Sequence, residues 1–176
     1  QDTFGVINIA LVDGEPKVLS LSHMLRHYLD HQYDVIVRRT KFDLAKAEAR
    51  AHILEGLLIA LDNIDEVVRI IRSSPDAATA KARLSERFGL SEKQTQAILD
   101  MRLQRLTGLE RDKIEAEYAE LQKLIAELKA ILADDAKVWQ IIEDEMLEIK
   151  QKYGDERHTR IENVADEIDI EDLIEE

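Results

Sequence analysis

The sequence predicts a mainly α protein: a long antiparallel two-helix coiled coil that ends in a small helical globular knob, with a short β-hairpin at its base. The first observation is that 45% of the 176 residues are hydrophobic but only 5% are aromatic, with 6 glycines and 2 prolines. The second is the 35% of charged residues, which is typical of long helices with solvated outer faces. The third is that apolar residues recur at steps of three and four over two long segments, the spacing of one helix face.

Residues 1–20 are predicted to form the β-hairpin. Two apolar, β-like runs flank Asp13–Gly14, a dipeptide that favours tight two-residue turns. Because a lone hairpin is only marginally stable in water, we expect these strands to belong to a larger sheet and the chain to be part of a longer protein.

Residues 21–63 are predicted to hold a base helix followed by the descending helix of the coiled coil. Ser20 or Ser22 can cap the base helix. The descending helix carries an apolar stripe whose small residues would let a partner helix approach closely. The predicted seam positions on it are Phe42, Ala45, Ala49, Ile53 and Leu57.

Residues 64–109 are predicted to be the knob, a cluster of three short helices. Pro75 closes the first helix, Asp76 caps the second, Gly89 ends it, and Ser91 opens the third.

The third knob helix, predicted over 91–107, is apolar on two sides. Three short helices make a poor core of their own, so we assign one stripe to the knob and the other to a partner, of which an identical knob is the commonest kind. The stripe assigned to the knob consists of Leu99, Leu103 and Leu106, and the stripe assigned to the partner consists of Ile98 and Met101.

Residues 110–153 are predicted to return as the ascending coiled-coil helix, with a further helix over about 136–153. Apolar steps of four and three alternate here, as in the seam of a coiled coil. The seam positions are Ile114, Tyr118, Leu121, Ile125, Leu128 and Leu132. Residues 154–176 are acidic and are predicted to be a linker or tail.

The charge and the cysteine content of the chain limit the partners and the sites that it can have. The formal net charge is −13, and a chain this acidic repels nucleic acid at long range, so it is not expected to bind DNA tightly on its own. The chain has no cysteine, which excludes disulfides and thiolate metal sites and favours a cytoplasmic location. No apolar run approaches ~18 residues, so no membrane span is predicted.

Two polar clusters near the base are candidate sites. His23, His27 and His31 follow at four-residue intervals, and two imidazoles at that spacing can share a metal. The third histidine lies ~12 Å along the helix from the first and cannot easily join them, so a solvated face is favoured over a metal site. The pair Arg38–Arg39 and Lys41 form the densest basic spot, for which pairing with the surplus carboxylates is favoured over phosphate contact.

A resemblance to the A subunit of bacterial DNA gyrase, in the type IIA topoisomerase family, is carried by three segments: RRTKFDLAKAEARAHILEGLLIALDNIDEVVRIIRSS, LSEKQTQAILDMRLQRLTGLE and GDERHTRI. The resemblance covers essentially the whole chain, from the end of the tower strands to the linker after the last helix. It implies that two copies dimerise and that one DNA duplex is cut in another part of the protein. A second duplex, passed through the break, would then leave through an exit gate where the knobs of two coiled-coil arms meet.

The resemblance therefore implies that this chain is the arm and the exit gate (the C-gate). The dimer interface it implies consists of Gln94, Ala97, Ile98, Met101, Arg102 and Arg105. It implies no catalytic residue in this chain, because the cleavage tyrosine of the family precedes the tower. The tyrosines that match no such motif are Tyr28, Tyr33, Tyr118 and Tyr153.

The full enzyme implied by the resemblance is ATP-dependent and negatively supercoils DNA by double-strand passage. Its ATP and Mg²⁺ would be bound by other parts of the enzyme, with no cofactor or metal held by this chain. Its partners would be the B subunit of gyrase, duplex DNA and, through the knob, a second copy of this chain. Two alternatives stay open: the same region of topoisomerase IV, and a non-enzymatic helical scaffold or adaptor dimer, against which the hairpin argues.

Overall fold

A computed structural model describes residues 5–159 and confirms the predicted hairpin. Strands β1 (Ile9–Val12) and β2 (Glu15–Val18) pair antiparallel, with Ile9 opposite Val18 and Val12 opposite Glu15. The two turn residues both have positive φ, 52° for Asp13 and 82° for Gly14, as a two-residue turn between twisted strands requires.

Helix α1 (Leu21–Asp62) is a single helix of 42 residues. The expected division into a base helix and a descending helix is therefore wrong, since no residue in this stretch interrupts the backbone. Ser20 caps the helix by accepting a hydrogen bond from the backbone N–H of His23. At the other end the Asn63 side chain donates to the carbonyl oxygen of Ile59 at 2.9 Å, which satisfies one of the carbonyls that a helix end leaves open.

Helix α5 (Gly108–Leu132) packs antiparallel on α1, which confirms the predicted coiled-coil pairing. Ion pairs join the two helices along their length. They link Arg50 to Glu117 at 2.7 Å, Glu48 to Lys129 at 2.8 Å, and Asp62 to Arg111. Between them lies an apolar cluster of Ala47, Ala51 and Ile125, packed against by Leu44, Tyr118 and Leu121.

The predicted seam positions on α5 are buried or half-buried. Ile114 and Ile125 are buried there, and the half-buried positions are Tyr118, Leu121, Leu128 and Leu132. Four of these side chains belong to apolar clusters shared with α1, namely Ile114, Tyr118, Leu121 and Ile125.

The predicted seam is shifted on α1. Leu57 is buried and Ile53 is half-buried, but three predicted positions are exposed, namely Phe42, Ala45 and Ala49. The buried face of α1 instead carries Ile36, Thr40, Ala47, Ala51 and Leu54. Thr40 is accommodated there because its hydroxyl donates to the carbonyl oxygen of Ile36 at 2.8 Å.

The knob contains the three predicted short helices, α2 (Ile64–Ser73), α3 (Ala77–Phe88) and α4 (Glu92–Leu99). The predicted caps are confirmed. The carboxylate of Asp76 accepts from the N–H of Thr79 at 2.7 Å, and Gly89 ends α3 with a φ of 67°. Because a Cβ is strained at such a φ, glycine is favoured at that position.

The core of the knob is shared with the arm. Its buried side chains come from all three short helices, from both long ones and from the turn between α3 and α4, namely Leu54, Leu57, Ala60, Val67, Leu84, Leu90, Ile98 and Ile114. The expectation that the knob has no other part of the chain to pack against is therefore wrong, because the last turns of α1 and the first turns of α5 complete its core.

Helix α6 (Asp135–Tyr153) follows α5 and ends immediately before Gly154, as predicted. Its buried residues are Val138 and Ile142. The hydroxyl of Tyr33 donates to Asp135 at 2.6 Å, which raises the pKa of that hydroxyl. The chain divides into two compact units after Ile142.

In the second unit, the exposed apolar residues of α6 include Leu147, Ile149 and Tyr153. Most of the predicted acidic tail, from residue 160 onward, lies outside the described residues. Among the helices that the structure describes, none is both long and apolar enough to cross a membrane.

Candidate dimer interface

Helix α4 is held against α1 by side chains at its capped N-terminus, where Gln94 is buried. The Ser91 hydroxyl accepts from the backbone N–H of Gln94 at 3.3 Å, and the Gln94 side chain accepts from the backbone N–H of Ser91 at 2.9 Å. This reciprocal pair is a capping box, which satisfies two donors that the helix start would otherwise leave open.

The same side chains join α4 to the middle of α1. The side-chain amide of Gln94 donates to the carbonyl oxygen of His52 at 2.7 Å, and the His52 ring lies 2.6 Å from the Ser91 hydroxyl. Gly56 allows this approach, because a Cβ at that position would lie 2.7 Å from the Cβ of Gln94. The interior glycine of α1 is therefore explained by the crossing of α4.

The predicted helix over 91–107 is wrong beyond its second turn. Helix α4 ends at Leu99, the backbone of Arg102 is extended with ψ 146°, and a short 3₁₀ helix spans Leu103–Leu106. Near the end of α4 the N–H of Met101 donates to the carbonyl oxygen of Ile98 at 3.2 Å, an i to i+3 bond that tightens the last turn.

The break changes part of the two predicted apolar stripes, although Leu99 packs against the knob core as predicted. Ile98, assigned to a partner, is buried in the knob core. Leu103, assigned to the knob core, is 84% exposed, and Leu106 is also exposed. Leu109, which sequence reasoning did not include, is 69% exposed. Thr107–Gly108 follows Leu103 and Leu106 in the chain, so no turn signal in the sequence separates these two leucines from the preceding helix.

The six predicted interface residues therefore fall into three groups. Gln94 and Ile98 are buried within the protomer and have little surface left for a partner. Ala97 and Met101 are half-buried, and Arg102 and Arg105 are exposed. That these residues contact a second copy stays a prediction.

A groove of about 550 Å³ lies beside the 3₁₀ helix, between α1, α4 and the start of α5. Apolar side chains such as Ile53, Leu57 and Met101 line it, together with Arg102 and Gln104. Leu103 lies between the last two in sequence but is not among the lining residues. Its side chain is exposed instead of filling the groove of its own protomer.

Charged side chains at one side of the groove are ordered by a pair between the long helices. The guanidinium of Arg50 donates two hydrogen bonds to Glu117, at 2.7 and 3.0 Å. The hydrogen bond from Arg50, together with the charges of Arg50 and Arg105, lowers the pKa of Glu117 against the opposing effect of burial. The Glu117 carboxyl group is therefore ionised at neutral pH, and its two hydrogen bonds keep the Arg50 guanidinium oriented.

The histidines near the base do not converge on one point. The His23 ring lies 3.0 Å from the Ser20 hydroxyl, at the cap of α1. His27 and His31 line a recess of about 510 Å³ with the hairpin. Within residues 5–159 no group of three or more His, Cys, Asp or Glu side chains is arranged to hold a metal ion.

In the basic spot, Arg38 pairs with Asp34 at 2.9 Å, one turn earlier on α1. This is the carboxylate pairing that the sequence favoured for that arginine. Such an exposed pair contributes little to stability.

The known proteins to which this chain is similar belong to one family. The family model of the A subunit of DNA gyrase/topoisomerase IV matches residues 1–147. The DNA gyrase A subunit of Clostridium acetobutylicum is 65% identical over 176 residues, which is 100% of this chain and 21% of that protein.

Two further relatives give the same result. The DNA gyrase A subunit of Halalkalibacterium halodurans is 64% identical over 99% of this chain and 21% of its own length. That of Streptococcus pneumoniae serotype 4 is 58% identical over 100% of this chain and 22% of its own length. The chain thus spans about a fifth of the length of these curated relatives, and it belongs to the family formed by the A subunits of DNA gyrase and topoisomerase IV.

Proposed function

We propose that this chain is the exit-gate and homodimerisation region of a DNA gyrase A subunit. The observation that carries the proposal is the exposed apolar surface at the end of the knob, where Leu103, Leu106 and Leu109 lie within seven residues of chain. Exposed apolar side chains grouped in this way are typical of a surface that a partner covers. Met101 and the groove beside it extend the same surface.

A second copy of the chain is the partner that fits best. Under two-fold symmetry each contact occurs twice, so a projecting side chain beside a groove can enter the groove of the other protomer while receiving its counterpart. Leu103 is such a side chain, because the residues on both sides of it line the groove. Arg102 and Asp100 at the groove give both signs of charge, as a self-complementary surface requires.

The gate would open and close in the complete enzyme, which we take to be an ATP-dependent type II topoisomerase of the cytoplasm. A duplex passed through a break made in another part of the protein would leave between the two knobs. The B subunit, ATP and Mg²⁺ belong to other parts of that enzyme. The net charge of −13 supports a passage that holds DNA only weakly. The same region of topoisomerase IV is the alternative within the family.

The test is to place a charge at the most exposed of these leucines. Leu103→Glu would introduce two carboxylates close to the two-fold axis, where their desolvation opposes association. We expect light scattering at micromolar concentration to give a dimer for the original chain and a monomer for the variant, with unchanged circular dichroism.

Leu124→Glu is the matched control, since Leu124 is also an exposed leucine but lies on α5 outside the knob. It should remain a dimer. A monomeric original chain, or a dimer that survives Leu103→Glu, would contradict the proposal.

A further inference from the structure

One face of α1 combines an exposed aromatic ring with basic side chains. Arg38, Phe42 and Lys46 follow at four-residue intervals, so they lie on one stripe of the helix, with the two cations about 12 Å apart along its axis. Phe42 is 69% exposed. The buried face of the helix, which carries Thr40 and Ala47, lies elsewhere on its circumference.

The local charge of this stretch opposes that of the whole chain. Residues 34–50, which include the partner of Arg38, carry five basic and three acidic side chains, a net charge of +2, whereas the complete chain has −13. The pair between Arg38 and Asp34 is exposed on both sides, with 65% and 63% of the side chains accessible. Such a pair is weak enough for the arginine to exchange its carboxylate for another anion.

The neighbours of Phe42 leave its ring accessible. Ala45 and Ala49, which follow on the same side of α1, are exposed and too short to cover it. A phenylalanine that stays exposed gains little from folding. Lysine and arginine side chains contact the phosphates and sugars of nucleic acids, and an apolar ring between two cations can pack on the less polar sugar that separates two phosphates.

We propose that α1 carries a contact site for the backbone of duplex DNA, formed by Arg38, Lys41, Phe42 and Lys46. The cations would bind phosphates and the ring would pack on the sugars between them. The identity of the polyanion rests on the proposed function, but the site needs neither the dimer nor the knob. Because the rest of the chain is acidic, the contact is weak and depends strongly on salt.

The test is the binding of a short labelled DNA duplex to the 176-residue chain, followed by fluorescence anisotropy at low salt. We expect a dissociation constant of about 10⁻⁴ M, at the weak end of non-specific DNA binding. Lys46→Glu should weaken binding about tenfold, and Phe42→Ala, which leaves every charge in place, about threefold.

Lys123→Glu is the matched control, because it changes the net charge by the same amount on α5, where Lys123 pairs with Glu120 at 2.8 Å. It should alter binding by less than about twofold. Equal losses in Lys46→Glu and Lys123→Glu, unchanged binding by Phe42→Ala, or no saturable binding by the original chain would each overturn the inference. Light scattering on the same samples reports the dimer separately, so a failed gate proposal is distinguishable from a failed DNA site.

Discussion

Replacing Gly56 by alanine tests how closely α4 approaches α1. In the interior of an ordinary helix this change stabilises a protein by about 1 kcal/mol, because glycine loses more backbone freedom on folding than alanine does. At Gly56 the new Cβ would lie 2.7 Å from both the Cβ and the Cγ of Gln94. Carbon atoms pack at about 3.5–4.0 Å, so the overlap is about 1 Å.

The overlap cannot be relieved by a simple side-chain rotation. Gln94 is buried, and its amide is bonded to Ser91 and His52, so α1 and α4 must move apart. Overpacking of this kind costs about 1–3 kcal/mol. Set against the gain of about 1 kcal/mol in helix propensity, Gly56→Ala should leave the chain between unchanged and about 2 kcal/mol less stable.

Gly108→Ala is a control for the substitution alone, since a Cβ there meets nothing within 4 Å, although Gly108 is the first residue of α5 and gains less from helix propensity than an interior position. The free energy of unfolding should be measured by urea denaturation, followed by far-UV circular dichroism at one protein concentration. Gly56→Ala should be less stable than Gly108→Ala, by up to about 3 kcal/mol. If both variants are stabilised equally, the close approach of α4 to α1 is wrong.

Three further predictions concern the arm and its base. Ala51→Leu should lower stability by about 1–3 kcal/mol in a thermal melt, because Ala51 is buried against α5. Ala49→Leu, at an exposed position, should change stability by less than about 0.5 kcal/mol. Equal effects would mean that the face of α1 that packs against α5 is misassigned. The pKa of Glu117 is lowered in the folded chain by Arg50, so this pair stabilises the arm at neutral pH. The stabilisation is lost as the pH falls below the ordinary carboxylate pKa of about 4.5 and through the lower pKa of the folded state. The urea midpoint of Glu117→Gln should therefore change less between about pH 7 and about pH 3 than that of the original chain, and identical changes would contradict the role of the pair. Stoichiometric zinc should leave the melting temperature within about 1 °C, since tight binding to the histidines near the start of α1 would appear as stabilisation.

Local signals in the sequence were sufficient for the turns and helix starts. Asp13–Gly14 marks the hairpin turn, and Ser91 and Asp76 begin helices where they stand. Each of these residues acts through a hydrogen bond or a backbone angle within three residues of itself. No distant part of the chain is needed to determine such features, which is why the sequence predicts them.

The register of α1 could not be predicted in the same way, because the helix carries two competing stripes with steps of three and four. The stripe through Phe42 and Ile53 is as regular as the buried one through Thr40 and Ala47. Burial of a threonine and several alanines is favoured only because α5 packs closely there. The choice depends on a helix more than sixty residues later in the chain.

The end of α4 at Leu99 also lacks a local signal, since no glycine or proline lies between that residue and Gly108. Ile98 is fixed in a core completed by α1 and α5, and the chain must then turn to begin α5. The surface proposed as the gate depends on this turn, so its exposed leucines could not be separated from core leucines by spacing alone.

The unbroken course of α1 has a mechanical consequence. Its 42 residues span about 63 Å at ~1.5 Å per residue, and α5 stiffens much of that length. A tilt of only about 5° at the hairpin end would displace the opposite end by roughly 5 Å. The arm is therefore a lever that converts a small rotation near the hairpin into a movement of the knob comparable to one helical turn.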